Sequence, residues 1–179
     1  MKIIHTSDLH LGKRVNEFSM IEDQRFILNR MLEIIDEEKP DAVVIAGDVY
    51  DKHYPPVEAV NLLDYFLNRL AERDLEVFMI AGNHDSVDRL SFGADFFDKT
   101  GLHLSRTYDR TAEAAAYRLS DEHGAVNFYL LPFIKPVVVR QAFPDAEIAT
   151  YTDALRLAVD NLNIDTDERN VLVTHQFVT

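Results

Sequence analysis

The chain has 179 residues, 47% of them hydrophobic and 27% charged, the make-up of about one globular domain and not of a disordered tract. Eighteen Lys and Arg stand against 31 Asp and Glu, a formal net charge of −13, which makes a poor nonspecific coat for nucleic acid or membrane. Cysteine is absent, so disulfide scaffolds, thiolate metal sites and cysteine nucleophiles are excluded; the start is not signal-like, no apolar run reaches membrane length, and a cytoplasmic protein is expected.

Residues 2–6 read as a short buried strand, with His5 packed and hydrogen-bonded inside it. Residues 22–37 read as a helix with Ile27, Met31 and Ile34 on its apolar face, stopped by Pro40. Residues 41–46 are a second buried strand, β-branched and bounded by Pro40 and Gly47. Pro55-Pro56 opens another helix running to about Arg73, with Val60, Leu63, Leu67 and Leu70 on one face. Residues 75–81 form a third buried strand. Near-continuous apolar strands alternating with helices predict an α/β layered domain whose strands are covered on both faces. Further on, residues 102–105, 115–119 and 126–131 read as strands without helices between them, so part of the sheet is expected to be antiparallel or mixed. A helix over 152–162, with Leu155, Val159 and Leu162 in register, precedes a last short strand at 171–174.

The chemistry follows the strands. Ser7-Asp8-Leu9-His10 comes after the first, Gly47-Asp48-Val49-Tyr50-Asp51 after the second, Gly82-Asn83-His84-Asp85 after the third and His175-Gln176 after the last. Ligands bind at the carboxyl ends of strands in α/β sheets. Asp, Asn and His without sulfur suit manganese, iron or zinc, and suit calcium or magnesium less well. Asp8 and His10, two apart in a post-strand loop, can grip one ion. Asp48 is the natural bridge between two, and Asn83 offers a neutral carbonyl oxygen. Two ions held about 3.5–4 Å apart can clamp a phosphate for in-line attack.

Asp-x-His, Gly-Asp-x-x-Asp and Gly-Asn-His-Asp, in that order, resemble the calcineurin-like metallophosphoesterase superfamily. The flanks are similar to its SbcD-type DNA repair nuclease branch: His5-Thr6-Ser7-Asp8-Leu9-His10-Leu11-Gly12, Ala46-Gly47-Asp48-Val49-Tyr50-Asp51 with Pro55-Pro56, Ala81-Gly82-Asn83-His84-Asp85-Ser86, and Leu131-Pro132-Phe133-Ile134-Lys135-Pro136. The likeness covers essentially the whole chain and implies a layered fold of mixed sheets flanked by helices. It implies that Asp8 and His10 hold a first divalent metal, that Asp48 bridges, and that Asn83 and His175 hold a second, manganese being the expected ion. His84 would bind no metal but approach the scissile phosphate, oriented by Asp51, with Asp85 as the rival. It further implies DNA as substrate in double-strand-break and hairpin processing, an SbcC-type ATPase as partner, a homodimer within a larger complex, and no membrane. The family completes its site with a later Gly-His-x-His that adds one imidazole to each metal. None is present, and four residues follow His175. The chain is therefore expected to be the N-terminal portion of the phosphoesterase domain, without capping and partner-docking regions and catalytically impaired.

Two other functions compete. One is a small-molecule phosphodiesterase or phosphatase with the same clamp. The other is a non-catalytic binding or dimerisation module, favoured by the missing ligands and the acidic charge. Among the remaining residues, His175 has the alternative of a satisfied surface histidine. His53 reads as an exposed polar residue, and His103 and His123 as strand and turn residues without a partner in sequence. Lys13-Arg14, Lys135 and Arg140 read as solvated surface with phosphate contact as the alternative. Phe92, Phe96 and Phe97 read as core in preference to a base-stacking platform.

Overall fold

The structure is a computed structural model that describes residues 1–109 and 116–177. From the N-terminus come β1 (Ile3–Thr6), a small antiparallel hairpin of β2 (Arg14–Val15) and β3 (Phe18–Ser19), α1 (Ile21–Glu38), β4 (Ala42–Ala46), α2 (Val57–Ala71) and β5 (Glu76–Ile80). Short helices α3 (Val87–Leu90) and α4 (Ala94–Phe97) and a 3-10 turn over Asp98–Thr100 lead to β6 (Leu102–Leu104). The second half holds β7 (Ala116–Asp121), β8 (Gly124–Leu131), α5 (Pro136–Ala142), α6 (Tyr151–Asp160) and β9 (Arg169–Thr174). No helix of the described residues is long and apolar enough to cross a membrane.

The first sheet has the order β1-β4-β5-β6 and is parallel throughout. The expected antiparallel part is a separate sheet, β7-β8-β9, in which β7 runs against β8 and β9 runs with it. β4 explains the stacking. All five of its residues are buried; Val43 and Ile45 pack with Leu28, Leu32, Leu62 and Phe66 of the two helices, whereas Ala42, Val44 and Ala46 pack with Phe128 and Leu130 of β8 and Val173 of β9. β5 alternates in the same way, Val77 and Met79 to the helices, Phe78 and Ile80 to the second sheet. Phe78 and Phe128 stack with centroids 4.3 Å apart. Leu131, at the end of β8, packs with residues of α5 and α6. The order is helices, sheet, sheet, helices, and the central strands β4 and β5 are buried on both faces because each lies between two layers.

Several expectations need correction. The buried stripe of α1 is Leu28, Leu32 and Ile35; Ile27 and Ile34 are exposed and Met31 is partly buried. Both triplets have the same four-three spacing and lie on adjoining parts of one apolar arc, so only the position of the sheet chooses between them. On α2, Leu63 and Leu70 are buried as read, but Val60 is exposed and Leu62 and Phe66 take its place. His5 is exposed, because β1 is an edge strand with a neighbour on one side only. Phe92 and Phe96 are 83% and 68% exposed, and only Phe97 joins the core: α3 and α4 are single turns, too short to bury a full apolar face. The strand expected at 115–119 is β7, and its first residue, Ala115, lies outside the described residues. His103 does have partners, described below.

Candidate metal centre

The carboxyl ends of β1, β4, β5 and β9 all open on one edge, and backbone hydrogen bonds fasten their loops together. The amides of Asp8, His10 and Leu11 donate to the carbonyls of Gly47, Asp48 and Val49 at 3.0, 2.9 and 2.9 Å, and Asp51 N–H returns to Leu11 at 3.2 Å. The loop after β1 thus runs as a short parallel rung beside the loop after β4. Asp8, His10 and Asp48 have φ of 57°, 43° and 49°, a left-handed conformation that costs a non-glycine residue about 1–3 kcal/mol and collects at functional sites. Two glycines permit the close approach. A Cβ on Gly82 would lie 2.2 Å from Asp48 Oδ1, and one on Gly47 2.7 Å from the His175 ring.

Asp48 is at the centre. Its side chain is 4% exposed. Oδ1 accepts the His84 backbone N–H at 2.9 Å. Around Oδ2 gather three imidazole nitrogens: His10 Nε2 at 3.6 Å, His175 Nε2 at 3.6 Å and His84 Nε2 at 4.0 Å. Asp8 Oδ1 lies 3.8 Å from His10 Nε2, and Ser7 donates its hydroxyl to the other Asp8 oxygen. The far side of two rings is committed: His175 Nδ1 meets the Ala46 carbonyl at 2.7 Å and His84 Nδ1 the Asp51 carbonyl at 3.0 Å. Carbonyls only accept, so both rings carry their proton on Nδ1, and in the neutral ring Nε2 is a bare lone pair. His10 Nδ1 is buried without a hydrogen bond, with the Asp51 carboxylate 3.5 Å away.

Lone pairs gathered about a carboxylate oxygen repel one another unless a cation lies between them. Atoms that each sit about 2.0–2.2 Å from one ion stand about 3–4 Å from one another, as these do. Two sets could each close on an ion with a small inward shift, His10 with Asp48 and His84, and Asp8 with Asp48 and His175, the ligand atoms of each lying within 4.8 Å of one another. Asp48 belongs to both. The residues present therefore fit a pair of divalent cations held by nitrogen and oxygen. His84, to which the resemblance gives no metal, lies in the first set. Asn83 shares its loop, half-buried, with no hydrogen bond to its side chain among the described residues.

Of the two aspartates expected to compete for His84, Asp51 is the one that meets its ring, through the backbone carbonyl, while its carboxylate stands beside His10. Asp85 does not touch the His84 ring. It is buried and accepts the amides of Val49, Tyr50 and Gly82 at 3.0, 2.8 and 2.9 Å, stapling the loops after β4 and β5. Burial pushes its carboxyl up from the ordinary value, against the pull of those three donors. Burial, with the nearby Asp85 charge, raises the Tyr50 phenol to about 12.

Sequence reasoning missed Gln24. From the first turn of α1 its amide donates to the carbonyls of His10 and Leu9 at 2.7 and 3.2 Å and accepts Gly12 N–H at 3.0 Å. No motif announces a glutamine 14 residues away from the histidine it supports. Beside it lies a cavity of about 360 Å³ lined by Leu9, Leu11, Lys13, Ile27 and Met31. Arg14 bonds to the Glu17 carbonyl and Arg140 to the Ile148 carbonyl at 2.6 Å. His103 is buried between Glu76 and Asp98, at 2.7 and 3.1 Å, and stacks on Phe78; it takes no part in the centre.

Residues 1–176 match the family model of the calcineurin-like phosphoesterases. Among curated proteins, the SbcD component of the SbcCD nuclease of Staphylococcus epidermidis is 36% identical over 178 residues, 98% of this chain and 46% of that protein. The chain spans about half the length of this relative.

Proposed function

The chain belongs to the calcineurin-like phosphoesterase family, and on that footing we propose that it is the metal-dependent phosphodiesterase part of a DNA nuclease that processes double-strand breaks and hairpins. The observation that carries this reading is the gathering of three Nε2 atoms about Asp48 Oδ2. Asp8, His10, Asp48, Asn83 and His175 would hold two divalent ions, manganese first among them. When bound, such ions supply Lewis-acid polarisation of the phosphate. His84 would face the phosphate from the open side, its side chain 46% exposed. Its Nδ1–H is held by the Asp51 carbonyl, so only the imidazolium, with a second proton on Nε2, has one to give to the leaving oxygen, and Nε2 is the atom that gives it.

Similarity to a component of an SbcCD nuclease supports an SbcC-type ATPase as partner and DNA as substrate. A cytoplasmic setting agrees with the lack of cysteine. Exposed Tyr54, Val57, Phe92 and Phe96 support a homodimer; Arg89 lies 4.4 Å over the Tyr54 ring, which joins the loop after β4 to α3 in one surface. The net charge of −13 favours a second reading, a phosphodiesterase or phosphatase for small molecules, since a polyanion is repelled by an acidic surface.

The test is cleavage of linear and hairpin DNA against a small chromogenic phosphodiester by the full-length protein, with manganese. The nuclease reading expects DNA to be cut; hydrolysis of the small ester alone favours the second reading. Asp48→Asn should abolish both manganese binding and turnover. His84→Ala should lower turnover by roughly 10²–10⁴-fold while bound manganese holds. Loss of manganese along with activity in His84→Ala would instead make His84 a ligand.

A further inference from the structure

His84 is held at three points. Its N–H donates to Asp48 Oδ1 at 2.9 Å, its ring Nδ1 meets the Asp51 carbonyl at 3.0 Å, and its own carbonyl meets His53 Nδ1 at 2.6 Å. The last two bonds are reciprocal. The side chain of residue 84 reaches the backbone of the 51–53 loop, and the side chain of residue 53 reaches the backbone of residue 84. Together they close a ring that fixes the peptide of His84 and the direction of its imidazole at once.

From this geometry we infer that His53 is a positioning residue for His84. A carbonyl only accepts, so His53 carries its proton on Nδ1 and donates it. The bond spans 31 residues of sequence and lies at the surface, outside the buried Asp85 staple that joins the same two loops. His84 is itself exposed, and the amides that Asp85 accepts fix the chain on either side of it but not its own carbonyl; without His53 that carbonyl faces solvent, and the ring loses part of the alignment that proton transfer to a leaving oxygen demands. His53 touches neither Asp48 nor the other two imidazoles in any described contact. Its action on the chemistry therefore runs through His84, and the inference rests on the proposed role of that residue.

Three substitutions separate this role from its rivals. His53→Ala removes the donor. His53→Asn keeps one, its amide nitrogen standing about where Nδ1 stands. His53→Asp has the same shape and no donor. With manganese and a chromogenic phosphodiester, His53→Ala and His53→Asp should lower kcat about 10-fold or more with KM and bound manganese unchanged, and His53→Asn should recover most of the rate. Long-range ¹H–¹⁵N spectra of the metal-free chain give a readout independent of turnover. The wild type and His53→Asn should show His84 fixed with its proton on Nδ1, and the other two should show the tautomers averaged. Equal behaviour of His53→Asn and His53→Asp makes His53 a spacer, and a risen KM at constant kcat makes it a substrate contact; either overturns the inference. The rates are read on the full-length protein; if it gives no turnover, the phosphodiesterase reading fails, and the spectra alone decide whether His53 fixes His84.

Discussion

Gln24 commits both ends of its amide to the loop that carries His10, donating to two carbonyls and accepting one N–H. That loop holds two residues at positive φ, Asp8 and His10, and a strained conformation persists only where its surroundings over-determine it. Gln24→Glu keeps the shape but turns an oxygen toward two carbonyl oxygens. The expected result is a stability loss of about 1–3 kcal/mol and manganese affinity weaker by about 10-fold or more, as for other groups that orient metal ligands. Calorimetric unfolding and a manganese titration read the two effects. Unchanged values in both would mean that the loop keeps its shape by its own ladder to Gly47, Asp48 and Val49. Asp85 is the companion case. The Gly-Asn-His-Asp motif makes it visible, but its work is to accept three amides from two loops; the sequence shows that an aspartate is there and is silent on which backbone it faces.

Among the elements, α1 best separates pattern from packing. Ile27 and Leu28 are neighbours of similar size, one 50% exposed and the other 1%. Leu28→Ala leaves a cavity against β4 and α2 and should cost about 2–5 kcal/mol, whereas Ile27→Ala should stay within about 1 kcal/mol. Urea unfolding of the two variants checks this, and equal losses would place the helix in the other register. The termini of α1 were more legible than its face. Lys39 takes a left-handed conformation, φ 47°, its N–H bonded to the Ile35 carbonyl, and Pro40 prevents continuation. The strands were legible for a similar reason: β4 and β5 lie between two layers, so every side chain on them but that of Glu76, at the start of β5, is apolar whichever way it points.

At the scale of the whole molecule, Asp121 ties distant segments together. From the end of β7 it pairs with Arg169 of β9 at 2.5 Å and with the N-terminal ammonium at 2.6 Å, and it accepts the His123 amide at 2.8 Å. The Arg169 guanidinium, then the ammonium, hold its carboxyl well below the ordinary carboxylate range. A carboxyl whose folded pKa is depressed contributes stability above its unfolded pKa, about 3.9, and loses it as pH falls toward the folded value. Thermal stability should therefore decline below about pH 4, and more steeply in the wild type than in Asp121→Asn. Parallel acid profiles for the two proteins would show that the contact does not bear on folding. Salt should weaken the effect only in part, because Asp121 is 14% exposed on its side chain and partly shielded from counterions.

The order of motifs along the chain settled much of this protein by itself. Apolar runs bounded by Pro and Gly define parallel strands, and the loops after such strands share one edge, so Asp8, Asp48, Asn83 and His84 had to meet there. Sequence spacing says nothing of what lies across the sheet. The resemblance had already put His175 beside Asp48; only the tertiary structure decided that it comes there from a second sheet, that Asp51 turns its carbonyl to His84 and its carboxylate to His10, and that Phe92 and Phe96 stay at the surface. Each of these depends on the packing of layers far apart in sequence. A residue's choice between backbone and side-chain contact, or between core and solvent, is made by the neighbour that layer brings to it.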